Sequence, residues 1–401
     1  MRKCPYFLAL PMLLATACHA APTAGEQAGA EAPSQVAATD GGFEESASRP
    51  FIVTPVVPFE EPWAMTFIPG GPWALVSERK GRLMLVDTRN NRSYPVGGDL
   101  PRVAYGGQGG LGDVVAAPDP DTTDKIHPVY LSWAEPGEGD TRGAVVALAN
   151  LTINSMAEQI GSLGDVKILW RQAPKVSGDG HYSHRIALSP DQKHIFISSG
   201  ERQKFNPAQD MGGNLGKIIR LNSDGSVPAD NPFAARGGVA AQIWSLGHRN
   251  ILGLAFDRQG RLWEDEMGPK GGDEVNLIEP GGNYGWPKVS NGSHYDGRAI
   301  PDHAPGDGFL APRAWWNPSI SPGSLAYYDG ALFPQWKDSL LIGALSGEAL
   351  IRLKIEGDHV VKADHWPMKA RIREVEIGPD GAVWLLEDGP GGRLLKLTPK
   401  P

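Results

Sequence analysis

The chain has 401 residues, a formal net charge of −8 at pH 7 and two cysteines. This length allows one large domain or two smaller ones, and an acidic chain without a basic patch is a poor candidate for nucleic-acid binding. After the N-terminal region, no segment is apolar enough to cross a membrane.

Residues 1–21 have the composition of a secretory signal peptide. A basic start is followed by an apolar run over residues 7–14 and then by small residues as far as Ala21. The run is too short to span a bilayer. We therefore predict cleavage near Ala20 or Ala21 and export, either to the periplasm or elsewhere outside the cytoplasm. A lipid-modified Cys18 that tethers the protein to a membrane is the alternative form of processing.

The segment after the signal peptide has the composition of a linker. Residues 22–50 are rich in Ala, Gly, Glu and Ser, which is typical of a disordered tether. All twelve tryptophans lie after residue 50, whereas both cysteines, Cys4 and Cys18, lie before it. We therefore predict a folded domain over residues 51–401 that contains no disulfide.

A three-strand pattern recurs along this domain. Its clearest copy, residues 375–398, reads VEIGPDGAVWLLEDGPGGRLLKLT: a strand, a Pro-Asp-Gly turn, a second strand, a glycine-rich gap and a third strand. The other copies begin at Met65, Val114, Ile186, Leu254 and Leu325. Repeats of this size indicate propeller blades, which bury both faces by stacking in a ring. The sequence predicts an all-β fold, a six-bladed β-propeller with four-stranded antiparallel blades; an array of β-sandwiches is the alternative.

Residues 264–287 combine acidic residues with glycines. Glycines let carboxylate and carbonyl oxygens converge, and such oxygens are the ligands that calcium prefers. Zinc is disfavoured because the stretch has no cysteine and no close histidine pair. The spacing is not that of an EF-hand. A solvated acidic turn is the alternative interpretation.

Other candidate residues lie where loops meet strands. Arg249 follows a strand end, and Arg371 and Arg373 share a face because side chains alternate along a strand. If these arginines converge, they form a polyanion site; structural ion pairs are the alternative. His181 could be a general base near neutral pH or a solvated loop histidine. Gln108 lies in a glycine-rich turn that could approach a ligand closely but lacks the lysine of a nucleotide-binding loop.

Together these motifs resemble, in order, those of the soluble aldose sugar dehydrogenases that depend on pyrroloquinoline quinone (PQQ). The resemblance extends over about residues 55–398. The motifs that carry it are GGQGG (106–110), HYSHR (181–185), AQDMGGNLGKIIRLNSDGSVPADNPF (208–233), IWSLGHRNILGLAFD (243–257), GPKGGDEVNLIEPGGNYGWP (268–287) and RIREVEIGPDG (371–381).

The resemblance implies that His181 is the general base in oxidation of an aldose at the anomeric carbon to the lactone, with hydride transfer to calcium-bound PQQ. An external electron acceptor would reoxidise the cofactor, and the enzyme would be a monomer or a homodimer. The residues implied to contact the cofactor are Gln108, Arg249, Asn250, Tyr295, Arg371 and Arg373.

The resemblance also implies two calcium sites. The backbone carbonyls of Gly268 and Pro269 would bind the ion that bridges to PQQ, and Glu274 and Tyr284 match the positions of a second, structural ion.

The sequence departs from the family pattern at the predicted site. Asn317 and Ser346 stand where relatives often carry lysine, which predicts weaker retention of PQQ. His184, next to Arg185, is a second candidate for the base. Two other functions compete with the dehydrogenase: a calcium-dependent hydrolase or lactonase that uses metal-bound water, and a non-catalytic propeller that binds a sugar or a protein.

Overall fold

The structure, a computed structural model, describes residues 42, 44–119 and 125–401. The predicted signal peptide, the candidate lipid anchor at Cys18 and most of the predicted linker lie outside the described residues. No helix in the described part of the chain is long and apolar enough to cross a membrane. The four 3-10 helices found there are Asn206–Gln209, Ala234–Arg236, Ala240–Gln242 and Pro334–Trp336.

Strands account for the rest of the regular structure in the described residues. The strands of the N-terminal half are β1 (Phe51–Pro58), β2 (Pro62–Phe67), β3 (Trp73–Glu78), β4 (Arg82–Asp87), β5 (Arg92–Gly98), β6 (Leu111–Ala116), β7 (Ile126–Pro136), β8 (Thr141–Ile153), β9 (Gly161–Arg171), β10 (Val176–Ser177), β11 (Ser183–Leu188), β12 (His194–Ser199) and β13 (Lys217–Asn222). Those of the C-terminal half are β14 (Ile243–Leu246), β15 (Ile251–Phe256), β16 (Leu262–Glu266), β17 (Lys270–Gly271), β18 (Asp273–Ile278), β19 (Gly292–Ser293), β20 (Ala314–Trp316), β21 (Pro322–Tyr328), β22 (Ser339–Ala344), β23 (Ala349–Glu356), β24 (His359–Pro367), β25 (Ile372–Ile377), β26 (Val383–Glu387) and β27 (Arg393–Pro399).

Most of these strands form four-stranded antiparallel groups. The groups are β2–β5, β6–β9, β11–β14, β21–β24 and the set β15, β16, β18 and β20. The outer strands β5 and β9 pair in parallel, so the first two groups join into one larger sheet. The last group, β25–β27, is completed by β1, which pairs antiparallel with β27. This pairing ties the beginning of the folded domain to its end.

The first strands of the groups form a closed ring. Strand β2 contacts β6, β6 contacts β11, β11 contacts β15, β15 contacts β21, β21 contacts β25, and β25 returns to β2. These strands are buried at most positions because each is packed between two neighbouring groups. The predicted all-β fold is confirmed.

The turns of the repeat follow from their residue types. Between β25 and β26, Asp380 accepts a hydrogen bond from the backbone N–H of Ala382 (3.1 Å), while Gly381 has a φ of 77°. Asp side chains that bond the backbone two residues on, followed by a glycine that accepts positive φ, form tight turns. The Pro-Asp-Gly signal read from the sequence therefore marks a real hairpin.

Aromatic packing stabilises the closure of the ring. Phe51 of β1 is 2 % exposed and meets the Trp336 and Trp366 rings edge-on, at 5.9 and 5.4 Å between centroids. The two indoles stack on each other at 4.9 Å. Edge-to-face and offset stacked pairs add to the free energy of burying apolar area. The N-terminal strand is thus held by side chains as well as by its backbone ladder.

The last residues of the predicted linker contact the folded domain. The backbone N–H of Ser46 donates to the carbonyl of His365 (2.9 Å), and the backbone N–H of His365 donates to Ser46 Oγ (3.0 Å). The Trp366 indole N–H donates to the carbonyl of Ser48 (3.2 Å). Residues 44–50 therefore lead into β1 along the outer strand β24.

Candidate functional site

Loops that precede the first strand of a group and loops that follow its second strand lie at the same end of that group. The reason is the antiparallel register: Ile251 at the start of β15 pairs with Glu266 at the end of β16, and Ile372 in β25 pairs with Glu387 in β26. His181, Arg249 and Gly268 lie in or beside such loops. We call this end of the ring the mouth.

Arg185 shows that the starts of the first strands converge on one another. From β11, its Nε donates to the carbonyl of Leu252 in β15 (2.6 Å) and its Nη2 to the carbonyl of Gly323 in β21 (2.6 Å). Its Nη1 lies 3.3 Å from Asp113 Oδ1 in β6. Arg185 is therefore a structural residue of the channel directly beneath the mouth, where, with its ion pair to Glu374 in β25, it joins five of the groups.

His181 sits at the mouth in a polar but largely buried setting. Its side chain is 7 % exposed and its Nδ1 lies 2.5 Å from Glu201 Oε1. Since a carboxylate only accepts, Nδ1 carries the proton and Nε2 is left as an acceptor. Burial lowers the pKa of His181, and Arg249 lowers it further, while Glu201 opposes both effects. His181 therefore remains neutral, as a base must, to a pH below its ordinary range.

Glu201 organises the loop around His181, a role that we did not predict. Its carboxylate accepts backbone N–H groups of Gln203 (3.0 Å) and Phe205 (2.5 Å) as well as the histidine. Gln203 and Phe205 both have positive φ. Such a conformation is uncommon for residues other than glycine and requires support from its surroundings. The only sequence signal was an acid two residues after the strand HIFISS, in a loop at the mouth.

Gln108, predicted from the sequence to approach a ligand, contacts the backbone of His181. Its side-chain carbonyl accepts the backbone N–H of His181 (2.7 Å), and its own backbone N–H donates to the carbonyl of Asp179 (2.7 Å). The side chain is exposed. Gln108 thus lies at the surface of the mouth beside the candidate base.

His184, the second candidate for the base, is in a different setting. It is 1 % exposed, stacks on Trp63 at 5.2 Å between ring centroids, and its Nδ1 lies 2.9 Å from Ser132 Oγ. Burial and the Arg185 charge lower its pKa to about 3. This histidine is a core residue, so the geometry favours His181 as the base.

Arg249 is held in place by backbone carbonyls. Its Nη1 donates to the carbonyls of Met267 (2.9 Å) and Gly268 (2.6 Å), and its Nη2 donates to Tyr295 Oη (3.4 Å). The guanidinium lies over the Trp286 ring, 5.2 Å from its centroid. Its Nε has no hydrogen-bond partner among the described residues. Arg249 is fixed, yet it retains an unused donor.

Asn250 and Tyr295 adjoin this arginine. The carboxylate of Glu266 accepts the backbone N–H groups of Arg249 (2.5 Å) and Asn250 (3.2 Å), which orients the GHRN segment. Asn250 is fully buried and accepts a hydrogen bond from Ser183 Oγ (3.2 Å), whereas Tyr295 is 74 % exposed. Glu201 and Arg249 are joined through their backbones (3.0 Å), which links this cluster to His181.

Arg371 and Arg373 share one partner that the sequence reading missed. Both donate from Nε to Asp388, to Oδ2 at 2.8 Å and to Oδ1 at 2.9 Å. Burial lowers the pKa of Arg373, and Asp388 opposes this effect. The pair is thereby held side by side on its own part of the mouth. Arg185 connects this pair of arginines to the other groups of strands, because its Nη2 lies 3.5 Å from the carbonyl oxygen of Arg373.

Asn317 and Ser346 supply no positive charge. The Ser346 hydroxyl lies 2.8 Å from Ser321 Oγ and 3.2 Å from the carbonyl oxygen of Ser319, and its single hydrogen can be donated to either. Asn317 lies against Gly271, with its Oδ1 2.6 Å from where a Cβ on that glycine would stand. Both residues are exposed.

The acidic stretch forms a buried cluster that fits a cation. Glu266 and Glu274 are paired across β16 and β18, and a cavity of about 10 Å³ between them is also bordered by Tyr284. Burial raises the pKa of Glu274 well above its usual range, and Glu266 adds to that shift. Nearby, Glu264 is fully buried and its Oε2 has no hydrogen-bond partner in the described chain. Carboxylates that lie close together and have oxygens without hydrogen-bond partners suit a hard cation such as calcium.

Two of the implied metal ligands are constrained by their hydrogen bonds. The Tyr284 hydroxyl donates to the carbonyl of Leu277 (2.7 Å) and accepts the backbone N–H of Glu279 (2.8 Å), so its backbone carbonyl is the group left for a metal. The Gly268 carbonyl accepts from Arg249 and has a second lone pair for another partner. Pro269 is buried beside it.

Comparison with known proteins identifies the family. The family model described as Glucose / Sorbosone dehydrogenase matches residues 59–396, nearly all of the predicted domain. The chain belongs to the glucose/sorbosone dehydrogenase family. Among its relatives, aldose sugar dehydrogenase YliI of Escherichia coli (strain K12) is 36 % identical over 347 residues, which are 85 % of this chain and 91 % of that protein.

Solved structures of this family resemble the chain in fold. The apo-form of the soluble aldose sugar dehydrogenase from Escherichia coli has a TM-score of 0.80 and 34 % identity, covering 87 % of this chain and all of that one. The PQQ-bound form of an aldose sugar dehydrogenase from Streptomyces coelicolor has a TM-score of 0.70 and 28 % identity, covering 89 % of this chain and all of that one. The family resemblance read from the motifs is confirmed.

Proposed function

We propose that this glucose/sorbosone dehydrogenase family member is a PQQ- and calcium-dependent aldose dehydrogenase. The observation that carries the proposal is the pair formed by neutral His181 and Glu201, joined through the backbone to the cationic Arg249 at the mouth. A base beside fixed positive charge suits proton removal from a sugar bound next to a polyanionic cofactor. The PQQ-bound relative supports the choice of cofactor.

The proposed architecture is a six-bladed propeller. The closed ring of first strands supports this count, because each of the six members of the ring starts a separate four-stranded group. In this arrangement β1 completes the last blade. Ligands of propellers bind where loops gather at one end of the channel, which here is the mouth.

The chain's own residues take distinct roles in the proposed reaction. His181 Nε2 accepts the proton of the anomeric hydroxyl, and Glu201 stabilises the imidazolium that results, as a carboxylate does for a catalytic histidine. When bound, PQQ supplies the hydride acceptor and calcium polarises it as a Lewis acid. The lactone is the product. Gln108, exposed beside His181, is placed to orient the sugar.

Cofactor binding is proposed for the remaining mouth residues. The arginines would neutralise the cofactor carboxylates, Arg249 through its unused Nε, Arg371 from the exposed side of its ion pair with Asp388, and the more buried Arg373 beside it. The other proposed PQQ contacts are Asn250 and Tyr295. Gly268 and Pro269 would hold the bridging calcium through their carbonyls, and Glu274 with Tyr284 the second calcium.

The setting of the enzyme is proposed from its N-terminal segment. We infer export to the periplasm by the signal peptide of residues 1–21, with tethering through Cys18 as the alternative, and reoxidation by an external electron acceptor. A monomer or a homodimer would suffice, because all the proposed catalytic residues come from one chain.

Reconstitution tests the proposal. The purified exported domain, stripped of metal, should reduce an artificial acceptor with an aldose only after PQQ and calcium are both added. His181→Ala should bind PQQ, seen by its visible absorbance, without turnover. Hydrolysis of a lactone with calcium alone, and no dye reduction across a panel of aldoses, would instead support the hydrolase and defeat the dehydrogenase proposal.

A further inference from the structure

The central channel beneath the mouth contains a cavity of about 150 Å³. Residues from all six first strands, β2, β6, β11, β15, β21 and β25, border it. Its size is sufficient for an ion together with coordinated water. The cavity is separate from the small acidic cavity near Tyr284, because the two share no bordering residue.

Three carboxylates and one guanidinium meet at this channel cavity. Asp113 lies on β6, while Glu374 and Glu376 project from one face of β25 because they are two residues apart. Arg185 Nη1 lies 3.3 Å from Asp113 Oδ1 and 2.6 Å from Glu374 Oε2. With every group ionised, the four side chains carry a net charge of −2. A buried charge of this size is costly unless a counter-charge meets it.

The pKa values of two of these carboxyl groups are raised, as expected where positive charge is lacking. Burial raises the pKa of Glu374 well above its usual range, although Arg185 lowers it. Burial also raises the pKa of Glu376 to about 8, with Asp113 adding to the effect. The single arginine therefore leaves the cluster short of positive charge.

Two further side chains at the cavity lack partners. Ser324 borders it, is 2 % exposed, and its Oγ has no hydrogen-bond partner within the described ranges. Asp265 is fully buried, and neither of its carboxylate oxygens has such a partner there. Asp265 Oδ1 lies 2.8 Å from where a Cβ on Gly253 would stand, and Gly253 borders the cavity. Buried polar atoms are normally satisfied, so these orphans indicate a ligand.

We propose that the channel cavity binds a hydrated divalent, oxygen-seeking cation, held by Asp113, Glu374 and Glu376 partly through its coordinated water. A charge of +2 balances the −2 of these three carboxylates and Arg185, and the neighbouring Asp265 adds one more negative charge when it is ionised. The bordering side chains of the described chain offer oxygen ligands and neither cysteine nor histidine, a donor set that suits calcium or magnesium and not zinc. The ion joins β6 to β25 across the channel and so acts on the stability of the ring. It is distinct from the calcium ions proposed for the mouth and does not depend on PQQ.

Metal counting on the PQQ-free protein tests this site. Wild type, Glu376→Gln, Glu274→Gln and the double variant are dialysed against excess calcium, or magnesium in a parallel arm, and bound metal per chain is measured by mass spectrometry. Glu376→Gln should bind one ion fewer than wild type. The double variant should lose more than either single variant. Glu356→Gln, which changes an exposed acid paired with Lys354, is the matched control and should bind as wild type does.

Thermal unfolding distinguishes a cluster that binds a cation from one whose carboxyl groups are simply protonated. In chelator, Glu376→Gln should melt at or above the wild-type temperature, because it removes a buried charge. In calcium, wild type should gain more in Tm than the variant, because the ion binds only the folded state. The proposal is overturned if the two proteins bind equal amounts of metal and show equal calcium-dependent shifts in Tm.

A milder variant guards against a folding defect in Glu376→Gln. Ser324→Ala removes one neutral oxygen from the cavity wall and should weaken calcium affinity without loss of fold. Unchanged affinity in that variant, together with a misfolded Glu376→Gln, would also count against the site. Metal counting and thermal unfolding do not require sugar oxidation. The cation site and the proposed dehydrogenase function can therefore be refuted independently.

Discussion

Arg185 in the channel and Arg249 at the mouth differ in whether all the nitrogens of their guanidinium groups have partners. Arg185 donates to two backbone carbonyls, contacts acidic side chains and lies over Trp63, 4.0 Å from the ring centroid. Arg249 is also fixed by carbonyls, yet its Nε has no partner in the described residues. The saturated Arg185 supports the fold, whereas the unused donor of Arg249 is the feature on which its proposed role in cofactor binding depends.

The two histidines differ in the same way. His181 has a carboxylate on one nitrogen and an accepting nitrogen left over, whereas His184 is stacked on an indole with a very low pKa. They are three positions apart in the sequence. Their environments differ because one precedes β11 at the mouth and the other lies inside that strand, between neighbouring groups.

The largest expected effect separates these histidines. His181→Ala should lower kcat by about 10²- to 10⁴-fold, the usual contribution of a general base, with PQQ affinity retained. His184→Gln should leave kcat per folded molecule within a few-fold and should lower Tm instead. Steady-state kinetics on the reconstituted enzyme and thermal unfolding check the contrast. Equal kcat losses in both variants would remove the distinction.

Loss of the saturated arginine should affect stability most. Arg185→Met should lower the free energy of unfolding by about 3–5 kcal/mol, because it leaves buried Asp113 and Glu374 without their partner. Urea unfolding measures this change. The matched control is Arg371→Gln, whose half-exposed ion pair should contribute about 0–1 kcal/mol. Similar losses of unfolding free energy in both variants would show that Arg185 contributes no more to stability than the half-exposed Arg371.

Glu201→Gln tests the positioning of His181 through a pH profile. The carboxylate raises the pKa of His181 against the larger effect of burial, so its removal should lower that pKa further. Activity requires the neutral imidazole and falls as pH drops through the pKa, so the acidic limb of kcat should move to lower pH. At the pH optimum kcat should fall about tenfold or more, since Nδ1–H loses its charged acceptor. If the acidic limb of the kcat profile does not move, Glu201 has only a structural role.

Changes at the exposed arginine should have the smallest effect. Arg371→Gln should weaken PQQ binding by a few-fold, because a half-exposed charge contact contributes about 0–1 kcal/mol, and kcat at saturating PQQ should persist. The reverse change, Asn317→Lys, should tighten PQQ binding by adding a cation at the mouth. Titration of each apo-protein with PQQ measures both. No change in either variant would place PQQ away from this part of the mouth.

Much of the site could be read from the sequence because its residues occur in ordered motifs. His181 and Arg249 were both found in this way, and the structure places them in one connected cluster. Glu201 and Asp388 were missed, because each acts on residues elsewhere in the chain: Glu201 contacts a histidine twenty residues earlier, and Asp388 contacts arginines fifteen and seventeen residues earlier. Such pairings depend on how loops fold back across the mouth.

By itself, the sequence determined the all-β class, the repeat and its turns, because short apolar runs and Pro-Asp-Gly turns act over a few neighbours. It also determined the family, through motifs whose order survives wide divergence. Only the tertiary structure decided which histidine is packed in the core and which lies at the mouth with an accepting nitrogen, which arginine is saturated and where buried acids lack counter-charge. The physical reason is that desolvation and partner geometry, which set pKa and binding capacity, come from residues brought together across separate strands.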